Sequence, residues 1–135
     1  LWSLGAIGAR GVARERVLDE LLLALRDSDA GRRKDAVEAL IRHVPSLLVP
    51  HGALVIQTLH PATARGDLPY VDGWREGSWA GFSDDFRDPP PWYYRTMGSW
   101  IRLLGRSGLQ VRDVVEPLHP VTGNPASVLF VAVRA

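Results

Sequence analysis

Apolar positions along the chain begin without a period and then settle into one. Residues 1–11, LWSLGAIGARG, are rich in Gly and Ala and show no repeat. Over 12–27, Val17, Leu18, Leu21, Leu22 and Leu25 share one helical face, with Arg14, Arg16, Asp19, Glu20 and Arg26 elsewhere. The run Leu21–Leu25 also has the continuous apolar character of a buried parallel strand. Helix is the preferred reading. RDSDAGRRKD, 26–35, reads as a polar loop. Asp35 is then expected to cap a helix striped by Val37, Leu40, Ile41, Val44 and Leu48, with Pro45 ending it near Val44. Pro50-His51-Gly52 is a turn, and ALVIQTL, 53–59, is a strand apolar enough to be central and covered on both faces.

The next thirty-odd residues break the rhythm. The window 60–95 has no long periodic element, yet it contains Pro61, Pro69, Pro89, Pro90 and Pro91, with Trp74, Trp79, Trp92 and all the tyrosines. Aromatic density argues against disorder, so an ordered lid or binding segment is expected. Thr96 then caps a helix carrying Met97, Trp100, Ile101 and Leu104 on one face, closed by Gly108. QVRDVVEPL, 110–118, reads as a strand, HPVTGNPA as a turn-rich loop, and SVLFVAVRA, 127–135, as a final strand pairing antiparallel with the one before it. Trp100, Ile101, Leu104, Val114 and Phe130 are the expected core. Helices alternating with strands imply an α/β fold.

Composition adds mainly exclusions. A net charge of +1 gives no general basis for binding nucleic acid or an anionic membrane, and the basic residues Arg10, Arg14, Arg16, Arg32, Arg33 and Lys34 read as a solvated face. The absence of cysteine removes thiol chemistry and disulfides. His43, His51, His60 and His119 have no metal-ligand spacing, so no metal is expected. No apolar run has transmembrane length and the N-terminus lacks a signal-peptide pattern, so a cytoplasmic protein is the expectation.

Four stretches, in order, resemble the C-terminal half of class I S-adenosylmethionine-dependent methyltransferases. SLLVPHGALVIQTLHP is similar to the family's helix end, Pro-Gly-Gly turn and strand, with His51 where the first Gly is usual. YVDGWREGSWAGF, 70–82, resembles the insert of one bacterial subgroup. PWYYRTMGSWIRLLGRSGLQV resembles the helix before the sixth strand, and VVEPLHPVTGNPASVLFVAVRA the last two strands. The resemblance spans about residues 35–135 and leaves 1–34 as a divergent or truncated N-terminal segment. It implies a partial Rossmann-like sheet of strands 5, 6 and 7, the last antiparallel, with Leu21–Leu25 placed where strand 4 would fall. In the family's order, 3-2-1-4-5-7-6, Ala53–Leu59 is strand 5, 110–118 strand 6 and 127–135 strand 7. The cofactor implied is S-adenosylmethionine. The family holds it with a Gly-rich turn after strand 1 and an acidic residue after strand 2. GAIGARG, 5–11, has the wrong spacing for that turn. The chain also begins at Leu1 rather than Met, so a fragment with weak or no cofactor binding and activity of its own is expected.

On the same resemblance the insert follows strand 5 at the carboxyl edge of the sheet, where open α/β sheets bind ligands. Gln57, His60, Tyr70, Asp72, Trp74, Arg75, Trp79, Tyr94 and Arg95 are the candidate acceptor-contact residues, with Phe82, Trp92 and Tyr93 as further wall. His60 is the candidate general base because its ordinary pKa is near neutrality; its plainer role is to cap a strand end beside Pro61. Arg95 is a candidate for holding an acidic group, or else a salt bridge to Asp84, Asp85 or Asp88. A sulfonium over Trp74 or Tyr94 is a further expectation. Glu116 and His119 flank Pro117 at a turn. The implied function is methyl transfer to a small-molecule acceptor, with no nucleic acid or membrane partner. The alternative is a non-catalytic ligand- or protein-binding module descended from such an enzyme. The uncovered sheet edge of so small a sheet is expected to favour a homodimer.

Overall fold

A computed structural model describes residues 12–79 and 83–135. The stretch 5–11 and Phe82, both considered above, lie outside the described residues.

Helix α1, Val12–Ala24, packs on α2, Ala30–His43. The helical reading of the first apolar run therefore holds, and no strand forms at Leu21–Leu25. The second helix starts earlier than expected. Asp29, not Asp35, is the N-cap, its carboxylate accepting the Arg32 amide at 2.8 Å. Gly31, Arg32, Arg33 and Lys34 form the first turns of α2 under that cap, so the polar stretch 26–35 is loop as far as Asp29 and helix from Ala30. Pro45 ends α2 as expected, in a 3-10 turn at Val44–Ser46. His51 then adopts φ 64°, the left-handed turn position that glycine usually takes.

Strand β1, Ala53–Leu59, leads into the short helix α3, Pro61–Ala64. The insert is not structureless: β2, Gly73–Arg75, and β3, Trp92–Tyr94, pair as a two-stranded antiparallel ribbon. Thr96 caps α4, Met97–Arg106, through the Ser99 amide at 3.2 Å, and Gly108 leaves it at φ 82°. Strands β4, Leu109–Val115, and β5, Ser127–Arg134, follow.

The main sheet has the order β1-β5-β4, with β5 antiparallel to both neighbours. That is the arrangement the resemblance implied for strands 5, 7 and 6. The core lies on one face, where Ile41 of α2, Val44 of the 3-10 turn, and Trp100 and Leu104 of α4 meet Leu54, Ile56 and Phe130. Two expectations fail here. Ile101 is 43% exposed, because α4 turns it away from the sheet. Strand β1 is an edge strand that alternates buried and exposed positions, not one covered on both faces. Val55 pairs with Val131, and Gln57 with Leu129; on this face Val55 is 43% exposed while Leu129 and Val131 are half-buried. Among the described residues no helix is long and apolar enough to cross a membrane.

Candidate functional site

A cavity of about 950 Å³ opens where β1 ends. Its floor is the apolar flank of α2 with Leu54 and Ile56; Gln57, Thr58 and Leu59 carry the end of β1 along one side. The insert forms the opposite wall, with Trp74 from β2, Trp92 to Tyr94 from β3, Trp79 and the three successive prolines 89–91. The volume is at the upper end of what small-molecule pockets use, about 300–1,000 Å³.

The wall rings are fixed against one another. Trp74 meets Tyr93 edge to face at 5.4 Å between centroids, and Trp92 meets Tyr94 likewise at 5.8 Å. Trp79 packs on Phe86 at 5.1 Å and donates its indole N–H to the Arg87 carbonyl at 3.0 Å. The loop between β2 and β3 closes tightly on itself at Gly77. A Cβ there would stand 2.3 Å from the carbonyl oxygens of Pro89 and Pro90.

The insert is pinned to the rest of the fold at three points. Tyr94 is fully buried and donates its hydroxyl to the Pro61 carbonyl at 2.7 Å, tying β3 to the start of α3 just after β1. Burial raises its phenol pKa above the ordinary value. Asp72 accepts the Thr96 amide at 2.8 Å and the Ser99 hydroxyl, capping α4 from the insert side. Burial alone would push the Asp72 carboxyl up. The hydrogen bonds from Ser99 and Thr96 and the charge of Arg95 outweigh that and hold it below its usual range. Tyr70 adds its hydroxyl as acceptor for the Met97 amide at 3.0 Å.

The third connection joins the insert to α2. Glu38 accepts Lys34 at 2.7 Å and Arg42 at 3.2 Å, one helical turn away on either side, and also pairs with Arg95. Burial raises its carboxyl. The hydrogen bond from Lys34 and the charges of Arg95 and Lys34 outweigh burial and lower it. Lys34 and Arg95 stand over the ring of Tyr93, at 4.7 and 4.9 Å from its centroid.

The expected site residues thus fall into two groups. Gln57, Trp74, Trp79, Tyr94 and Arg95 line the cavity. Tyr70, Asp72 and Arg75 do not; they brace it. Arg75 donates to the Pro69 and Val71 carbonyls and lies over the Tyr94 ring at 4.7 Å. His60 is also outside the lining. It is buried, its Nδ1 accepts the Ala62 amide at 3.2 Å as the N-cap of α3, and its Nε2 lies 2.7 Å from Glu116. With Nδ1 an acceptor, Nε2 carries the proton, so neither nitrogen is open to a substrate in this arrangement. Arg95 does form a salt bridge, but with Glu38 rather than with Asp84, Asp85 or Asp88. His119 accepts the Val121 and Thr122 amides in its turn. Sequence reading missed Arg33, Lys34 and Glu38. The i, i+4 pattern Lys34-Glu38-Arg42 was the available signal, although it usually marks only a solvated helix face.

No protein-family model and no curated protein sequence matches the chain. Among solved structures it is similar to one from Listeria monocytogenes described as an S-adenosylmethionine-dependent methyltransferase. The TM-score is 0.55 and the identity 19%, over 73% of this chain and 55% of that one. An S-adenosylmethionine-dependent methyltransferase from Mesorhizobium loti is 23% identical over the same shares, with a TM-score of 0.48. The chain therefore has part of the Rossmann-like α/β fold of the Listeria monocytogenes structure, and it spans about half the length of each of these two proteins, 55%.

Proposed function

We propose that this chain is the acceptor-binding part of a methyltransferase-type domain, and that its cavity receives a small-molecule acceptor of S-adenosylmethionine-dependent methyl transfer. One observation carries this reading. The cavity opens at the carboxyl end of β1, the position at which open α/β sheets bind ligands, and a braced aromatic insert walls it. The contribution of these residues is to orient the acceptor and exclude water from it.

The lining does not fit the cofactor itself. The sulfonium is cationic and ribose hydroxyls call for a carboxylate acceptor, whereas among the described residues the cavity is lined by Arg33, Lys34 and Arg95 and by no Asp or Glu. No step through the cofactor is derived from these residues. That mismatch favours a second reading for the chain alone, a binding module without transferase activity. Both readings require an occupied cavity and differ only over the cofactor.

Isothermal titration of the folded chain with S-adenosylmethionine and S-adenosylhomocysteine tests the division of labour. The expected result is no binding in the micromolar range. One-to-one micromolar binding would mean that this chain holds a cofactor site, and would overturn the assignment of the cavity to the acceptor alone.

A further inference from the structure

The charge of the cavity narrows what it takes. Among the described residues its lining contains Arg33, Lys34 and Arg95 and no acidic side chain. Four carboxylates among the described residues act on these cations from outside: Asp27 on Arg33 and Asp72 on Arg95, besides Glu38 and Asp35. Glu38 pairs with Lys34 and Arg95, but Arg42 also draws on it. Asp35 stands 3.9 Å from Lys34 and is mostly in solvent. Arg33 donates to the Asp27 and Ser28 carbonyls, at 2.8 and 3.0 Å, and to no carboxylate among the described residues. None of these carboxylates belongs to the lining, so the three cations meet the cavity without an acidic side chain between them, beside a surface that is chiefly apolar. A cation beside apolar walls gains most from an anion that brings its own apolar body.

The walls specify the shape of that body. Trp74 and Tyr93 lock each other edge to face, and prolines 89–91 and Trp92 continue the same wall. Rings held in this way present fixed faces, against which a flat group stacks without further ordering cost. Lys34 and Arg95, both over Tyr93, place the charge beside that wall.

We propose that the cavity binds a flat, apolar anion, a carboxylate or phosphate on an aromatic or similarly planar body, with the anionic group held by Lys34, Arg95 and Arg33. This rests on the reading of the cavity as an acceptor pocket and adds the substrate class.

The test uses the 135-residue chain and matched probes. Isothermal titration is run with 2-naphthoate, its uncharged isostere 2-naphthamide, and 2-naphthyl phosphate. Naphthoate is expected to bind at least about tenfold more tightly than the amide, since charge-assisted hydrogen bonds are roughly twice as strong as neutral ones. Raising KCl from about 0.05 to about 0.5 M should shrink that ratio, because salt screens the charge and leaves stacking intact. Naphthyl phosphate binding more tightly than naphthoate would assign the anion as phosphate, and the reverse order as carboxylate; either order supports an anion site. In Lys34→Gln, where Arg95 and Arg42 still hold Glu38, naphthoate should weaken several-fold and naphthamide should not. Equal binding of naphthoate and naphthamide by the wild-type chain would overturn the anion proposal while leaving the pocket standing. Equal losses for both probes in Lys34→Gln would overturn it too. If none of the probes binds the folded chain, the pocket reading itself falls, and the proposal with it.

Discussion

The Tyr94 hydroxyl is one oxygen atom on which the placement of the insert depends, and Tyr94→Phe removes it alone. The ring contacts to Trp92, Tyr70 and Arg75 stay available to phenylalanine. What is lost is the 2.7 Å bond to the Pro61 carbonyl. A buried acceptor left wholly unpaired costs up to about 3 kcal/mol. Here the Pro61 carbonyl also accepts the Arg65 amide at 3.2 Å, so one bond survives. The expected loss is therefore about 1 kcal/mol, that of a single net hydrogen bond. For a chain of 135 residues this lowers Tm by roughly 2–6 °C. Urea denaturation should show a lower midpoint at unchanged slope. A second signature separates this from a generic packing defect. Burial raises the Tyr94 phenol pKa in the folded state, so its contribution is complete below the unfolded value, near 10, and is lost as pH rises through the folded value. The wild-type chain should lose stability in that alkaline window, and Tyr94→Phe should lose less. Wild-type stability in the variant, or an unchanged alkaline slope, would refute the assignment of this hydroxyl as the anchor of the insert.

Asp72→Asn should cost roughly 1.5–3 kcal/mol, the range for hydrogen bonds to a charged group, as measured by urea denaturation at neutral pH. Because the Asp72 and Glu38 carboxyls are held below their usual pKa, their stabilisation is complete above about pH 4 and is lost as pH falls through that value toward the folded ones. The acid limb of the stability profile should be shallower in Asp72→Asn than in the wild type, and an identical limb would count against the cap. Gly77→Ala forces a Cβ to within 2.3 Å of two carbonyl oxygens, so the loop carrying prolines 89–91 must move. Naphthamide affinity should fall several-fold by titration while the α-helical circular dichroism stays as in the wild type; unchanged affinity would mean this loop does not shape the cavity. The outer edge of β1 has no partner strand among the described residues, so the chain is expected to self-associate with rising concentration. Sedimentation showing a monomer throughout would refute that.

Elements whose signals were local were legible in the sequence. Strand β1 has the bounds its apolar run implied, and Thr96 and Gly108 mark the ends of α4 as their chemistry requires. The start of α2 was misplaced because two acidic caps, Asp29 and Asp35, compete on equal local terms. Only the structure shows that the earlier carboxylate reaches an amide. Exposure was the poorest inference. The face of Val55 and Val131 has the sequence of a buried face, yet Val55 stands exposed and Val131 is only half-buried. Pairings at long range were also hidden. Arg95 has acidic neighbours seven to eleven positions away in sequence, yet folds onto Glu38, 57 residues distant. The His60–Glu116 contact spans 56 residues, and no periodicity announces it.

These long-range pairs explain why the cavity and the fold depend on the same groups. The floor belongs to α2 and β1, the wall to an insert with little regular structure of its own. A two-stranded ribbon is at best marginal alone. It keeps its place because Tyr94, Asp72 and Arg95 each give it a partner on a different element: the start of α3, the start of α4, and α2. Glu38 differs from the other two partners, because it fixes the insert by holding cations that also line the cavity. A stronger internal neutraliser would have made a better brace and a poorer anion site. One carboxylate shared among three cations fastens α2 to the insert while staying out of the lining, which on the proposal above leaves Lys34 and Arg95 to meet the anion.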